Sequence, residues 1–88
     1  MKPVFSRAAR EDYLHWQQYD PKIALRIDAL LEEIAQAPLS LSGSGKPLAL
    51  KHSLAGYASR RIGGIHRLVY RVTAEGAIEV AQCRYHYE

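Results

Sequence analysis

The residues with chemical potential gather at the end of this 88-residue chain, where Cys83-Arg84-Tyr85-His86-Tyr87 sets a cation, two phenols and an imidazole side by side. Two strand-like runs precede them, residues 57–62 and 66–73, and deliver Arg60, Arg61, Arg67 and Arg71. Chain ends fray unless a sheet ties them down, so a third strand over residues 77–87 is expected to hold this one. Such a set suits a phosphate-rich polymer. RNA is cut without a metal when its own 2′-hydroxyl attacks the phosphorus. The reaction then needs a group to take the 2′ proton, cations for the charged phosphorane, and an acid for the departing 5′ oxygen. Arginine and lysine answer the second need, and an imidazole such as that of His86, a side-chain type that titrates near neutrality, answers the third. Tyrosines can stack on bases, which splay more easily in single strands.

Strand alternation sorts these candidates. In residues 66–73, Arg67, Val69 and Arg71 share one face; His66, Leu68, Tyr70 and Val72 share the other, which reads as core, with His66 a structural or core-edge histidine. In the last strand Arg84 and His86 fall with Ile78, Val80 and Gln82, opposite Cys83, Tyr85 and Tyr87. Cys83 and His86 therefore point apart, against a thiol–imidazole nucleophile, and Cys83 reads as a small buried residue. Histidines at 15, 52, 66 and 86 with one cysteine show no metal-ligand spacing. Gly43-Ser44-Gly45-Lys46 follows no strand and opens no helix, so it is no phosphate-binding loop. What remains is a metal- and cofactor-free constellation of Lys51, Arg60 or Arg61, Arg67, Arg84, His86 and nearby tyrosines. Basic residues on a sheet form binding surfaces more often than active sites, so both readings stand at this point.

Composition agrees. Apolar residues at 48% and charged residues at 24% are ordinary for one soluble domain spanning residues 1–88. A single cysteine allows no intramolecular disulfide and suits a reducing cytoplasm. No apolar run reads as a signal peptide or a bilayer span. Net charge is +3, unevenly spread: residues 1–37 balance at −1 and residues 38–88 at +4. That asymmetry is the footprint of a nucleic-acid binder or of a solvated cationic face.

The elements that must position these residues follow from periodicity. Residues 2–5 suit an edge strand, and Ser6 stands where a helix cap would, ahead of a helix over 7–18 with Ala9, Tyr13 and Trp16 on one stripe. Asp20-Pro21 marks a second helix start, with the aspartate expected to cap free amides. Ile23, Ile27, Leu30, Leu31 and Ile34 then recur at helical spacing until Pro38 stops the helix near Ala37. The short joint predicts an antiparallel helix hairpin. Residues 38–45 read as a mobile connector, 46–52 as a weak strand, and Gly63-Gly64 as a hairpin turn. The fold expected is α+β, two helices packed on a twisted antiparallel sheet.

Read in order, Gly45-Lys46-Pro47, Leu50-Lys51-His52, Leu54-Ala55-Gly56-Tyr57, Ser59-Arg60-Arg61-Ile62, His66-Arg67-Leu68-Val69-Tyr70 and Cys83-Arg84-Tyr85-His86-Tyr87 resemble the YoeB/Txe family of bacterial toxins. Tyr13-Leu14-His15-Trp16-Gln17 and the helix opened by Asp20 agree as well, so the likeness covers nearly the whole chain. The resemblance implies a RelE-like fold and a toxin of a type II toxin–antitoxin pair. It implies an endoribonuclease that enters the A site of the 70S ribosome and cuts mRNA during translation. Its partners would be a YefM-like antitoxin and, through it, operator DNA, and members of the family often dimerise. Carried over by position, His86 is the general acid and Arg67 the phosphate-stabilising arginine; Lys51 and Arg61 bind the backbone, and Tyr87 flanks the histidine. Lys46, Arg60 and Arg84 join the RNA-binding set.

One departure stands out. The family reads Lys-Pro-Glu before this Leu-Lys, and that glutamate is its proposed general base; here Leu48 occupies the position. Loss of a positioned base typically costs roughly 10²–10⁴-fold in rate. The nearest acids in sequence, Glu33 and Glu75, are not expected to point inward. The replacement is either native, leaving a weak toxin or one that works by positioning and electrostatics, or introduced, since a lethal toxin is hard to express alone. Three functions follow: a toxin with reduced cleavage, a non-cleaving protein that binds ribosome, antitoxin or operator, and a generic basic RNA-binding domain.

Overall fold

The computed structural model describes residues 3–85. Its elements run β1 (Val4–Phe5), α1 (Arg7–Tyr19), α2 (Pro21–Gln36), β2 (Leu48–Ala49), a single 3-10 turn (His52–Leu54), β3 (Ala58–Gly63), β4 (His66–Val72) and β5 (Ile78–Gln82). Ser6 caps α1 as expected, its Oγ accepting the Ala9 N–H at 3.0 Å. Asp20 differs from expectation: its side chain makes no cap bond. Its backbone serves both helices, the N–H donating to the Trp16 carbonyl at 2.8 Å and the carbonyl accepting from Ile23 at 2.9 Å. One residue thus turns the chain, and a Tyr13 hydroxyl bond to Asp28 Oδ1 at 2.7 Å clips the two helices together.

The apolar stripes of α1 and α2 meet one face of the sheet. Ala9, Trp16, Ala24, Ile27, Leu30, Leu31 and Ile34 pack there against Ile62, Leu68, Tyr70, Ile78, Val80 and Cys83. Burial of these side chains, each worth about 1.5–3 kcal/mol for the larger aliphatics, is the main force holding helices to sheet. No helix among the described residues is long and apolar enough to cross a membrane.

Strand order is β1-β5-β4-β3-β2. The β2, β3, β4 and β5 neighbours pair antiparallel, but β1 pairs parallel with β5, so the sheet is mixed rather than wholly antiparallel. The direction of β1 is set by Ser6, whose N–H donates to the Val80 carbonyl at 2.9 Å and whose Oγ donates to the Ala81 carbonyl at 2.8 Å. The weak strand expected over 46–52 shrinks to two residues. Lys46 (φ 48°) and His52 (φ 59°) bracket it in the left-handed region, which no strand can include.

A second correction concerns β5. Tyr70 pairs with Val80 but Val69 with Gln82, leaving Ala81 as an extra, unpaired residue. A bulge of this kind inverts the alternation beyond it. Gln82 therefore lies on the face of Val69, away from Ile78 and Val80, and Cys83 joins the core in its place. The ladder also stops at Gln82 instead of running on toward Tyr87. From there the chain is held by side chains: Asp12 Oδ2 accepts the Cys83 N–H at 3.1 Å, and Trp16 Nε1 donates to the Cys83 carbonyl at 2.8 Å.

Candidate active site

The sheet face turned from the helices carries the candidates. Cross-strand partners share a face. The pairings Leu48 with Ser59, Ser59 with Val69, and Arg61 with Arg67 therefore place Leu48, Ser59, Arg61, Arg67 and Val69 on one surface. Arg67 is its centre. Its side chain is nearly buried, at 7% exposure. Its Nε donates to Ser59 Oγ at 2.8 Å, and its Nη2 donates to the carbonyls of Lys46 at 3.2 Å and Ser59 at 3.4 Å. The guanidinium is thus fixed through Nε and Nη2, and its Nη1 has no acceptor among the described residues.

Arg61 stands directly opposite Arg67, exposed, and no carboxylate among the described residues pairs with either. Like charges set opposite one another across a strand pair destabilise it. Arg71, on the same face further along β4, is already engaged by Glu79 at 2.6 Å, which raises the guanidinium pKa and leaves Arg71 less available to a ligand.

The remaining predicted residues divide. Lys46 and Lys51 are exposed on the chain that leads into and out of β2. Leu48 is half-exposed, at 50%, on a cleft of about 380 Å³ bounded by residues 48–54. It pairs across the strands with Ser59, whose hydroxyl accepts from Arg67 Nε. Arg84 lies over the Tyr85 ring at 4.6 Å and near enough to Asp12 to stabilise its carboxylate. His86 and Tyr87 lie outside the described residues.

Arg60 is corrected outright. At 1% exposure it faces the helices, not the polymer face. Its Nε donates to the Tyr70 hydroxyl at 3.3 Å, its Nη1 to Glu33 Oε2 at 3.4 Å and the Ser44 carbonyl at 3.1 Å, and its Nη2 to the Ser40 carbonyl at 3.4 Å. Glu33 meets this guanidinium while still partly exposed, and both its oxygens accept the Ser44 N–H at 3.2 Å. The supposedly mobile connector is thus tied down by a buried cation. Gly45 completes the tie: its carbonyl accepts the Arg61 N–H at 2.6 Å, and at φ 83° a Cβ there would stand 3.0 Å from Arg60 Cβ and the Arg61 carbonyl.

Cys83 is buried, its Sγ donating to the Ala9 carbonyl at 3.4 Å. Burial, with the nearby Asp12 charge adding, pushes its thiol up to about 12, so it is no nucleophile. Ser59 and the Lys46 carbonyl, which hold Arg67, are supports that sequence reasoning passed over. Ser59 was within reach, since it alternates with Arg61 on β3; the Lys46 carbonyl was not.

Three non-glycine residues among those described have positive φ, and all border this region: Lys46, His52 and Tyr85, the last at φ 64°. Each such residue costs about 1–2 kcal/mol, and strain of this kind concentrates at functional sites.

Residues 5–87 match the family model described as YoeB-like toxin of bacterial type II toxin-antitoxin system. The chain belongs to this family. It is 45% identical over 87 residues to Toxin YoeB of Escherichia coli strain K12, covering 99% of this chain and 100% of that one. A YoeB/ParE toxin from Agrobacterium tumefaciens superposes with a TM-score of 0.91 at 42% identity, covering 99% and 100% of the two chains. The toxin of a heterotetrameric YoeB-YefM complex from Staphylococcus aureus gives 0.89 at 46% identity, covering 99% and 98%. The RelE-like α+β arrangement therefore stands.

Proposed function

We propose that the open face of this sheet is the active surface of a ribosome-dependent mRNA endoribonuclease, with cleavage weakened by Leu48. The observation that carries this reading is the facing pair Arg61 and Arg67, unpaired by any carboxylate among the described residues, with Arg67 clamped through Nε and Nη2. Two opposed cations are unfavourable in an empty protein and favourable around a phosphate. Arg67 stabilises the charge that develops on the phosphorane, a contribution of the kind that typically amounts to 10²–10³-fold per donor. Arg61, Lys46 and Lys51 hold the flanking backbone. The 2′ oxygen forms a bond to phosphorus as the bond to the 5′ oxygen breaks. The 2′ proton leaves to solvent or a base, and His86 supplies a proton to the 5′ oxygen, with Tyr87 beside it. The products carry a 2′,3′-cyclic phosphate and a 5′-hydroxyl.

Leucine accepts no proton, so the first transfer lacks its protein partner. Family membership supports a cytoplasmic toxin whose partners are the ribosome, mRNA, a YefM-type antitoxin and operator DNA through that antitoxin. A YoeB dimer solved from Staphylococcus aureus, 46% identical, supports self-association. The missing base favours one competing reading, a protein that occupies the same sites without cutting.

The deciding experiment is primer extension on an mRNA translated in a purified system, with this protein and its Leu48→Glu variant in parallel. Cuts by the variant, at roughly 10²–10⁴ times the parent rate, are expected. Equal cutting by both would show the base to be dispensable. Absence of cuts from either would leave the binding reading.

A further inference from the structure

The histidine that alternation assigned to the core edge has a more specific task. We propose that His66 is a positioning residue: its imidazole latches the backbone of Tyr85 and so sets the direction in which the chain leaves toward His86. His66 Nδ1 accepts the Tyr85 N–H at 2.8 Å, and the Arg67 N–H donates to the Tyr85 carbonyl at 3.1 Å. Both backbone groups of Tyr85 are therefore held by two consecutive residues of β4, one through its side chain and one through its main chain. The second of these is the arginine at the centre of the open face.

The latch explains an otherwise unfavourable conformation. Tyr85 sits at φ 64°, where a residue with a Cβ does not settle without compensation. No sheet ladder supplies it, because β5 ends at Gln82. The ring of His66 is itself oriented, edge-on to Trp16 with centroids 4.7 Å apart. Trp16 in turn donates to the Cys83 carbonyl at 2.8 Å, two residues before the latch. To accept at Nδ1, neutral His66 must carry its proton on Nε2. Packing holds the ring and the ring holds the amide, so Tyr85 and the phosphate-binding arginine share one support.

This inference rests on the nuclease reading for its consequence but not for its geometry, and the test separates the two. Nitrogen-15 NMR of the unaltered protein should show His66 Nδ1 as the unprotonated nitrogen and a slowly exchanging Tyr85 amide. His66→Phe keeps a ring against Trp16 and removes the acceptor; His66→Asn places an oxygen near the position of Nδ1. Exchange at Tyr85 should quicken roughly five- to tenfold in the first and return toward the parent in the second. In the Leu48→Glu background, His66→Phe should lower kcat at least tenfold with KM little changed, and His66→Asn should recover most of it. A proton on Nδ1, or a Tyr85 amide equally protected in His66→Phe, would overturn the latch. Lost protection with unchanged kcat would overturn its role in positioning. If Leu48→Glu itself cuts nothing, the nuclease reading fails and the tautomer and exchange data alone decide the latch.

Discussion

Arg60 and Arg67 lie on neighbouring strands, are both almost wholly withdrawn from solvent, and do opposite things. Arg60 faces the helices and spends its three nitrogens on Tyr70, Glu33 and the Ser40 and Ser44 carbonyls. Arg67 faces away from them, is fixed by Ser59 and the Lys46 carbonyl, and keeps Nη1 without an acceptor among the described residues. Burial alone therefore does not tell the two apart; the acceptors that each one meets among the described residues do. The two are also linked, because the connector that Arg60 secures leads straight into Lys46, whose carbonyl holds Arg67.

The sharpest way to break this comparison is to change both arginines and read cleavage and stability separately. Arg67→Lys, made in whichever of the parent and Leu48→Glu proteins cuts, should lower the cleavage rate by about 10²–10³-fold. A lysine offers a point charge without the planar fork. Its effect on the urea midpoint should be small. Arg60→Met should behave the other way. It leaves the buried Tyr70 hydroxyl and the connector carbonyls without their donor, at a cost of about 2 kcal/mol in urea unfolding. Its cleavage per folded molecule should fall far less than that of Arg67→Lys. A variant pair with the two effects exchanged would refute the division.

Smaller effects sharpen the picture at its edges. Gly45→Ala combines a left-handed backbone with close contacts to β3, and should lower stability by about 1–2 kcal/mol in the same unfolding measurement. Asp12 gives the mildest change. Burial raises its carboxyl pKa, against the lowering effects of the Cys83 N–H bond and the Arg84 charge. The folded protein thus holds that proton more tightly than the unfolded chain does. This contribution to stability is complete below the ordinary carboxylate value and is lost as pH rises through the raised one. Asp12→Asn keeps an acceptor for Cys83 and cannot ionise. Its Tm should therefore drop less than the parent's through this group as pH rises from below the ordinary carboxylate value, which parallel thermal melts would detect.

Much of the molecule was legible in its residues. Both helices, the Gly63-Gly64 hairpin region and the choice of Arg67 over His66 for the open face follow from periods of 3.6 and 2 and from turn chemistry. These are local properties, decided within a few residues. The resemblance of whole segments to one toxin family added the direction of the function, and the family match agrees.

Tertiary structure decided what local pattern cannot carry. The single extra residue Ala81 inverts the alternation of β5, moving Gln82 away from Ile78 and Val80 and putting Cys83 in the core. Alternation has no memory of a bulge until the pairing is known. The fate of Arg60 turned on Glu33, 27 positions away, and on connector carbonyls that no composition count locates. The support of Tyr85 by His66 likewise spans 19 positions. An arginine or histidine side chain is long and many-handed, so its role is set by whichever acceptors the fold brings within 3 Å or so. Residue type supplied the cations and the imidazoles; packing chose which of them remain free to act.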